Sequence, residues 1–168
     1  MDEPGYGSWR SISAPEAVSL SFGFPFPASF PNDELLAAAE ALFDEAPETA
    51  LSYVGSGTAN ELASVVVERA RERGIDCDED QVVLTNGATH AIDVACATFL
   101  DPDDLVVVES PTFMGALRVF RNHGVDLEGV GMDGDGLDVA ALAADLERRE
   151  AEGRPLPKLL YTIPDFHN

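Results

Sequence analysis

From residue 82 onward, apolar runs and helical stripes take turns along the chain in a strand–helix rhythm. Residues 82–84, Val-Val-Leu, are a short apolar run and predict a buried strand. Thr85-Asn86-Gly87 breaks the run with turn chemistry. Ala88, Ala91, Ile92, Ala95, Phe99 and Leu100 then recur at helical spacing and predict a helix with one apolar face. Asp101-Pro102-Asp103-Asp104 reads as a turn, and residues 105–108 as a fully buried strand. The pattern continues with a helix over about 114–123 ending at Gly124, a strand over 125–130, a helix over 138–150 and a strand over 159–162. Residues 151–157 form a surface connection.

Upstream, residues 32–44 predict a helix with an Asx-type cap at Asn32 and an acidic first turn. A second amphipathic helix is expected over about 59–73, stopping at Gly74. Residues 1–32 combine Gly, Pro and Ser with five Phe or Tyr and show no helical period, so they read as an arm or loop. Strand followed by helix, repeated, implies an α/β fold with a doubly wound, parallel-rich sheet.

Charge narrows the partners. The 168 residues carry 31 acidic and 10 basic side chains, a net charge of -21. Such a field repels nucleic acid and anionic membranes. Acidic residues run through the whole chain, and lysine occurs once, at 158. An acidic, lysine-poor surface suits a salty cytoplasm, where screening relieves self-repulsion, so a halophilic, cytoplasmic protein is expected. Cys77 and Cys96 have no CxxC spacing, and Cys96 reads as a small core residue. His90, His123 and His167 have no metal-ligand spacing. The loop beginning at Asp133 is no calcium site, because Ala144 stands where a bidentate Glu is needed. The first residues have neither the basic region nor the apolar core of a signal peptide, and no stretch approaches a membrane span.

The most informative chemistry lies at 85–89. A strand that passes through a glycine turn into a helix aims free backbone N–H groups at one point, where the helix dipole favours an anion. Gly87 leaves the backbone approachable and Thr89 can add a hydroxyl donor. A phosphate cradle and an ordinary capped junction both fit these residues.

Asn86-Gly87-Ala88-Thr89 after an apolar strand and before an Ala-rich helix resembles the phosphate-binding turn of the class I/II aminotransferases, pyridoxal-phosphate enzymes of fold type I. Asp101 to Leu117, Asp133-Gly-Asp-Gly-Leu137 and Pro157 to Asn168 resemble further family segments, in family order. Over about residues 20–168 the wording is most similar to the subgroup acting on 2-aminoadipate, kynurenine or branched-chain and aromatic amino acids. The resemblance implies pyridoxal 5'-phosphate as cofactor, held at its phosphate by Gly87, Ala88 and Thr89, stacked on Phe113 and contacted at its phenolic oxygen by Asn168. Tyr53 matches a tyrosine that reaches the phosphate of the neighbouring subunit, although Val54 and Ala63 depart from the family's glycine and arginine. A loop-packing role for Tyr53 fits equally. Gly23 matches a glycine segment lining the substrate pocket, or is simply part of a loop, and Phe113 reads either as the stacking ring or as a core residue. The resemblance further implies an amino acid and a 2-oxo acid as substrates, a homodimer, an arm and first helix over 1–45, and a cofactor-binding large domain beginning at 46.

In family order the Schiff-base lysine, the acid facing the pyridinium nitrogen and the substrate-carboxylate arginine come after residue 168. Lys158 precedes a strand and is expected at the sheet's amino end, away from the site. The expectation is therefore the amino-terminal part of an aminotransferase, truncated and inactive alone, with no catalytic residue of its own. Two alternatives are a non-catalytic remnant and a nucleotide- or S-adenosylmethionine-binding α/β module; the second would want a G-x-G-x-x-G turn, which the sequence lacks.

Overall fold

A computed structural model describes residues 26–51 and 58–167, and the chain divides into two compact units, 1–59 and 60–168. In the first unit, α1 (Asn32–Glu45) is followed by the short α2 (Pro47–Ala50). Pro31 rather than Asn32 takes the N-cap position of α1, and no side chain caps it. The expected Asx cap is thus absent, because Asn32 already lies inside the helix. Asp33 and Glu34 still place negative charge in the first turn, where the dipole favours it.

The second unit builds a four-stranded sheet in the order β3-β2-β1-β4, from β1 (Leu105–Ser110), β2 (Asp126–Asp133), β3 (Gly136–Leu137) and β4 (Leu159–Tyr161). β1 pairs in parallel with β2 and with β4, while β3 returns antiparallel on β2 through the turn at Gly134-Asp135. The longer helices after residue 57 are α3 (Thr58–Glu72), α4 (Ala88–Phe99), α5 (Met114–Asn122) and α6 (Val139–Glu152). Asp138 caps α6 by accepting the Ala141 N–H at 2.8 Å, and Gly153 closes it in the left-handed region at φ 65°.

Alternation along β1 assigns the helices to faces. Val106 and Val108 point one way and pack with Cys96, Ala116, Val119, Phe120 and Val125, so α4 and α5 cover that face. Val107 points the other way, level with Glu128 of β2. Glu128 pairs with Arg149 of α6, which covers the second face. Helices on both faces of a parallel-rich sheet are the doubly wound arrangement that the pattern predicts.

Two expectations are corrected. Residues 82–84 form no strand: they pair with no other strand among the described residues, and Val83 is 74% exposed. An apolar run specifies a strand only where a neighbour supplies ladder hydrogen bonds. On α4 the buried seam is Ile92, Cys96 and Leu100, while Phe99 is 69% exposed. An alanine-rich helix has two faces of similar polarity, and the fully buried Cys96 selects the one that packs. Burial and the nearby Asp93 charge push the Cys96 thiol up, so it behaves as a small apolar filler. Among the described residues no helix is long and apolar enough to cross a membrane.

Candidate functional site

α4 ends at Phe99, and a short turn leads into β1. Because Ile92, Cys96 and Leu100 pack on the sheet core, the chain folds back and α4 runs against the direction of β1. The N-terminus of α4 therefore lies at the sheet end where β1 finishes, the end at which open α/β sheets bind ligands.

The turn before α4 has the geometry of an anion site. Gly87 is its N-cap with φ 85° and ψ 170°, a backbone shape that L side chains rarely adopt. No heavy atom lies within 4 Å of where a Cβ on Gly87 would be. No side chain caps the helix, and the first backbone hydrogen bond into it is Ala91 N–H to Gly87 O at 3.1 Å. The N–H groups of Ala88, Thr89 and His90 thus precede the helical ladder and face outward. Around them, Asn86 N–H donates to His90 Nδ1 at 3.0 Å and the Thr85 hydroxyl to Gly87 O at 3.3 Å, which fixes the turn from both sides.

At the end of β1 the chain runs through a cis Ser110–Pro111 peptide to Phe113, the N-cap of α5. The Phe113 ring is half-exposed rather than a core filler. It lies across Gly115: a Cβ there would be 2.4 Å from ring Cε1 and Cζ. Thr112 Oγ1 is buried with no hydrogen-bond partner among the described residues. This sheet end therefore gathers a donor-rich turn, an accessible aromatic face and an unsatisfied hydroxyl, a set that suits a flat ring carrying an anionic group.

Glu109, the last buried residue of β1, was not singled out by its sequence. Its carboxylate accepts from the Thr162 hydroxyl at 2.5 Å and from Ile163 N–H at 3.0 Å, and lies 3.2 Å from His167 Nε2. Burial pushes the neighbouring Tyr161 phenol up, and the Glu109 charge adds to the effect. The available signal was a lone acid closing an apolar run immediately before Ser-Pro.

Lys158 lies at the opposite end. Its N–H bonds Leu105 O at 2.9 Å, and its ammonium pairs with Asp104 at 2.6 Å. Gly23, Tyr53 and Asn168 fall outside the described residues.

The profile of "Aminotransferase class I and II" matches residues 24–162. Over 160 residues the chain is 29% identical to aromatic-amino-acid aminotransferase 1 of Thermococcus litoralis, covering 95% of this chain and 38% of the relative. It is 32% identical over 154 residues to 2-aminoadipate transaminase of Thermus thermophilus, covering 92% and 36%. The crystal structure of Pyrococcus horikoshii kynurenine aminotransferase in complex with PMP superposes with a TM-score of 0.78 at 29% identity, covering 89% of this chain and 37% of that one. The chain thus spans well under half the length of these relatives. With the doubly wound sheet and the glycine turn in family order, the match over 24–162 identifies the chain as a member of the class I and II aminotransferases.

Proposed function

We propose that this chain supplies the phosphate turn and ring-stacking face of a pyridoxal 5'-phosphate-dependent aminotransferase, which passes an amino group from an amino acid to a 2-oxo acid. The observation that carries the reading is the Gly87 turn, with open space over a positive-φ glycine and three outward N–H groups at a helix start. When bound, pyridoxal phosphate supplies the electron sink for the amino acid's carbanion. This chain's residues bind and orient it. At the Gly87 turn the N–H groups of Ala88 and Thr89 and the Thr89 hydroxyl hold the phosphate, with Gly87 leaving it room to approach, and Phe113 packs on the ring. Asn168 donates to the phenolic oxygen. Tyr53 reaches the phosphate of a second subunit in a cytoplasmic homodimer, and Gly23 lines the substrate pocket. Residues 1–45 form the arm and first helix, and the cofactor-binding domain begins at 46. Names of relatives support 2-aminoadipate, kynurenine or an aromatic amino acid as donor. The anchoring amine is not Lys158, which is engaged by Asp104 at the other end of the sheet.

Equilibrium dialysis of the protein against pyridoxal phosphate and against pyridoxal, which lacks the phosphate, tests the reading, together with amino transfer from those donors to 2-oxoglutarate by the chain joined to the carboxyl-terminal part of a relative such as 2-aminoadipate transaminase. Binding at least about tenfold tighter with the phosphate is expected from one or more charge-assisted hydrogen bonds. Equal binding of the two compounds, or no transfer with any donor, overturns it.

A further inference from the structure

The buried carboxylate of Glu109 stands where the β1–β4 ladder stops. Backbone pairing runs from Val106 opposite Leu159 to Val108 opposite Tyr161. One step further, Glu109 would face Thr162, and there the side chain takes over: it accepts both the Thr162 hydroxyl and the Ile163 N–H. Pro164 follows and offers no N–H of its own. His167 closes the cluster at 3.2 Å. Glu109 is only 2% exposed, and a carboxylate so buried is tolerated only when its oxygens are satisfied. All three of these partners come from the six residues that lead into Asn168.

We propose that Glu109 is a positioning residue: its carboxylate fastens residues 162–167, the segment that leads into Asn168, to the carboxyl end of β1, the end from which the chain runs on to Phe113. This inference rests on the pyridoxal-phosphate reading, since it acts through the contact of Asn168 with the cofactor's phenolic oxygen. Glutamate suits the task because a carboxylate is acceptor-only, and both groups that hydrogen-bond to it, the Thr162 hydroxyl and the Ile163 N–H, are donors. Glutamine can keep the geometry, with its oxygen towards Ile163 N–H and its amide donating to a rotated Thr162 hydroxyl. Alanine removes every bond of the clamp.

The test compares pyridoxal phosphate with 3-deoxypyridoxal phosphate, which lacks the phenolic oxygen, by dialysis with the protein and its Glu109→Ala, Glu109→Gln, Thr162→Val and Asn168→Ala variants. Wild type should prefer the natural cofactor by about tenfold, the effect of one good hydrogen bond to a charged oxygen. Glu109→Ala and Asn168→Ala should each erase that preference while 3-deoxypyridoxal phosphate binds as before, and Glu109→Gln should restore most of it. If Glu109→Ala does not fold, Thr162→Val, which removes one strand of the clamp, should reduce the preference in the same direction. A preference unchanged in Thr162→Val and in any folded Glu109→Ala, or a loss shared equally by both ligands, overturns the positioning role and leaves the cofactor reading standing. Failure of wild type to bind either ligand overturns the cofactor reading itself. Amide exchange at Ile163, slow in wild type and fast in Glu109→Ala, then reports separately whether the clamp exists.

Discussion

At the scale of single residues, two glycines decide what the site can hold, for opposite reasons. Gly87 is needed for its backbone shape: at φ 85° with nothing near its missing Cβ, the obstacle to a side chain is strain rather than space. Gly87→Ala should therefore lower stability by about 1–3 kcal/mol, read from the denaturant midpoint. An unchanged midpoint would show that the turn relaxes freely. Thr89→Ala, by contrast, should leave the midpoint nearly alone and weaken pyridoxal phosphate by about 1.5–3 kcal/mol. Gly115 is needed for space, because a methyl there would collide with the Phe113 ring at 2.4 Å. In a helix, alanine is otherwise preferred to glycine by about 1 kcal/mol, so Gly115→Ala should keep the fold while displacing the ring. If the ring is what Gly115 serves, Phe113→Leu and Gly115→Ala should each weaken the cofactor and the double variant no more than the worse single one. Additive losses would place Gly115's role elsewhere. The sequence made Gly87 and Phe113 legible through turn chemistry and order, whereas Gly115 and Glu109 were not. Close approach between residues two apart, and a strand end bonded to a segment some fifty residues later, are products of packing that no local pattern encodes.

Among elements, α6 shows how an acidic chain uses its scarce cations. Arg149 is almost fully buried; it bonds Asp145 at 2.7 Å on its own helix and pairs with Glu128 on β2. The ion pairs thus tie helix to sheet, and removing the Arg149 guanidinium leaves the nearly buried Asp145 carboxylate with the more exposed Arg148 as its remaining partner. Arg149→Ala should destabilise by about 2–4 kcal/mol, below the full cost of an unpaired buried charge because Arg148 stays beside Asp145, while Arg149→Met combined with Asp145→Leu should recover most of the loss. Thermal melts of the three proteins check this, and a mild loss in the single variant would mean that Arg148 alone satisfies Asp145. Lys158 plays a lesser part at the start of the sheet. A hydrogen bond from Lys158 holds the Asp104 carboxyl below its usual range, and the same contact holds the ammonium above its own. The Asp104 contribution is present above the ordinary carboxylate range and fades as pH falls through its lowered value. The Lys158 contribution is present below the ordinary lysine range and fades as pH rises through its raised value. Both are in force at neutral pH, so Lys158→Met should flatten the stability profile at its acid and alkaline ends, by a small amount because water reaches the half-exposed Lys158 side of the pair. These ties were invisible in periodicity, which located α5, α6, β1, β2 and β4 to within a few residues but not the two-residue β3. The same periodicity misread residues 82–84, because apolarity marks a segment that wants cover and says nothing about whether a neighbour provides it.

For the molecule as a whole, charge and topology make separate statements. With 31 acidic and 10 basic side chains, self-repulsion opposes compaction, and melting temperature should rise as potassium chloride goes from tenths of molar to molar. A flat or falling trend would contradict the expected adaptation to salt. Topology bears on chemistry more sharply. The parallel register of β1 and β4 puts Lys158 beside Leu105, at the start of the sheet, while Phe113 and the α4 N-terminus lie beyond its finish. Six residues of strand separate the two ends by roughly 20 Å, far beyond the reach of a lysine side chain. Asp104 also holds the ammonium in place and charged, which denies it the neutral amine that attack on a carbonyl requires. Residues 1–168 contain no other lysine. Borohydride added to the 168-residue chain with pyridoxal phosphate should therefore leave no specific pyridoxyl label on Lys158, and the chain by itself should not transfer amino groups. Joining it to the carboxyl-terminal part of a relative such as 2-aminoadipate transaminase should produce both labelling, on a lysine of the added part, and turnover. Stoichiometric labelling of Lys158 with turnover by the 168 residues alone would mean that the cofactor sits at the other end of the sheet, and that the Gly87 turn and Phe113 serve something else.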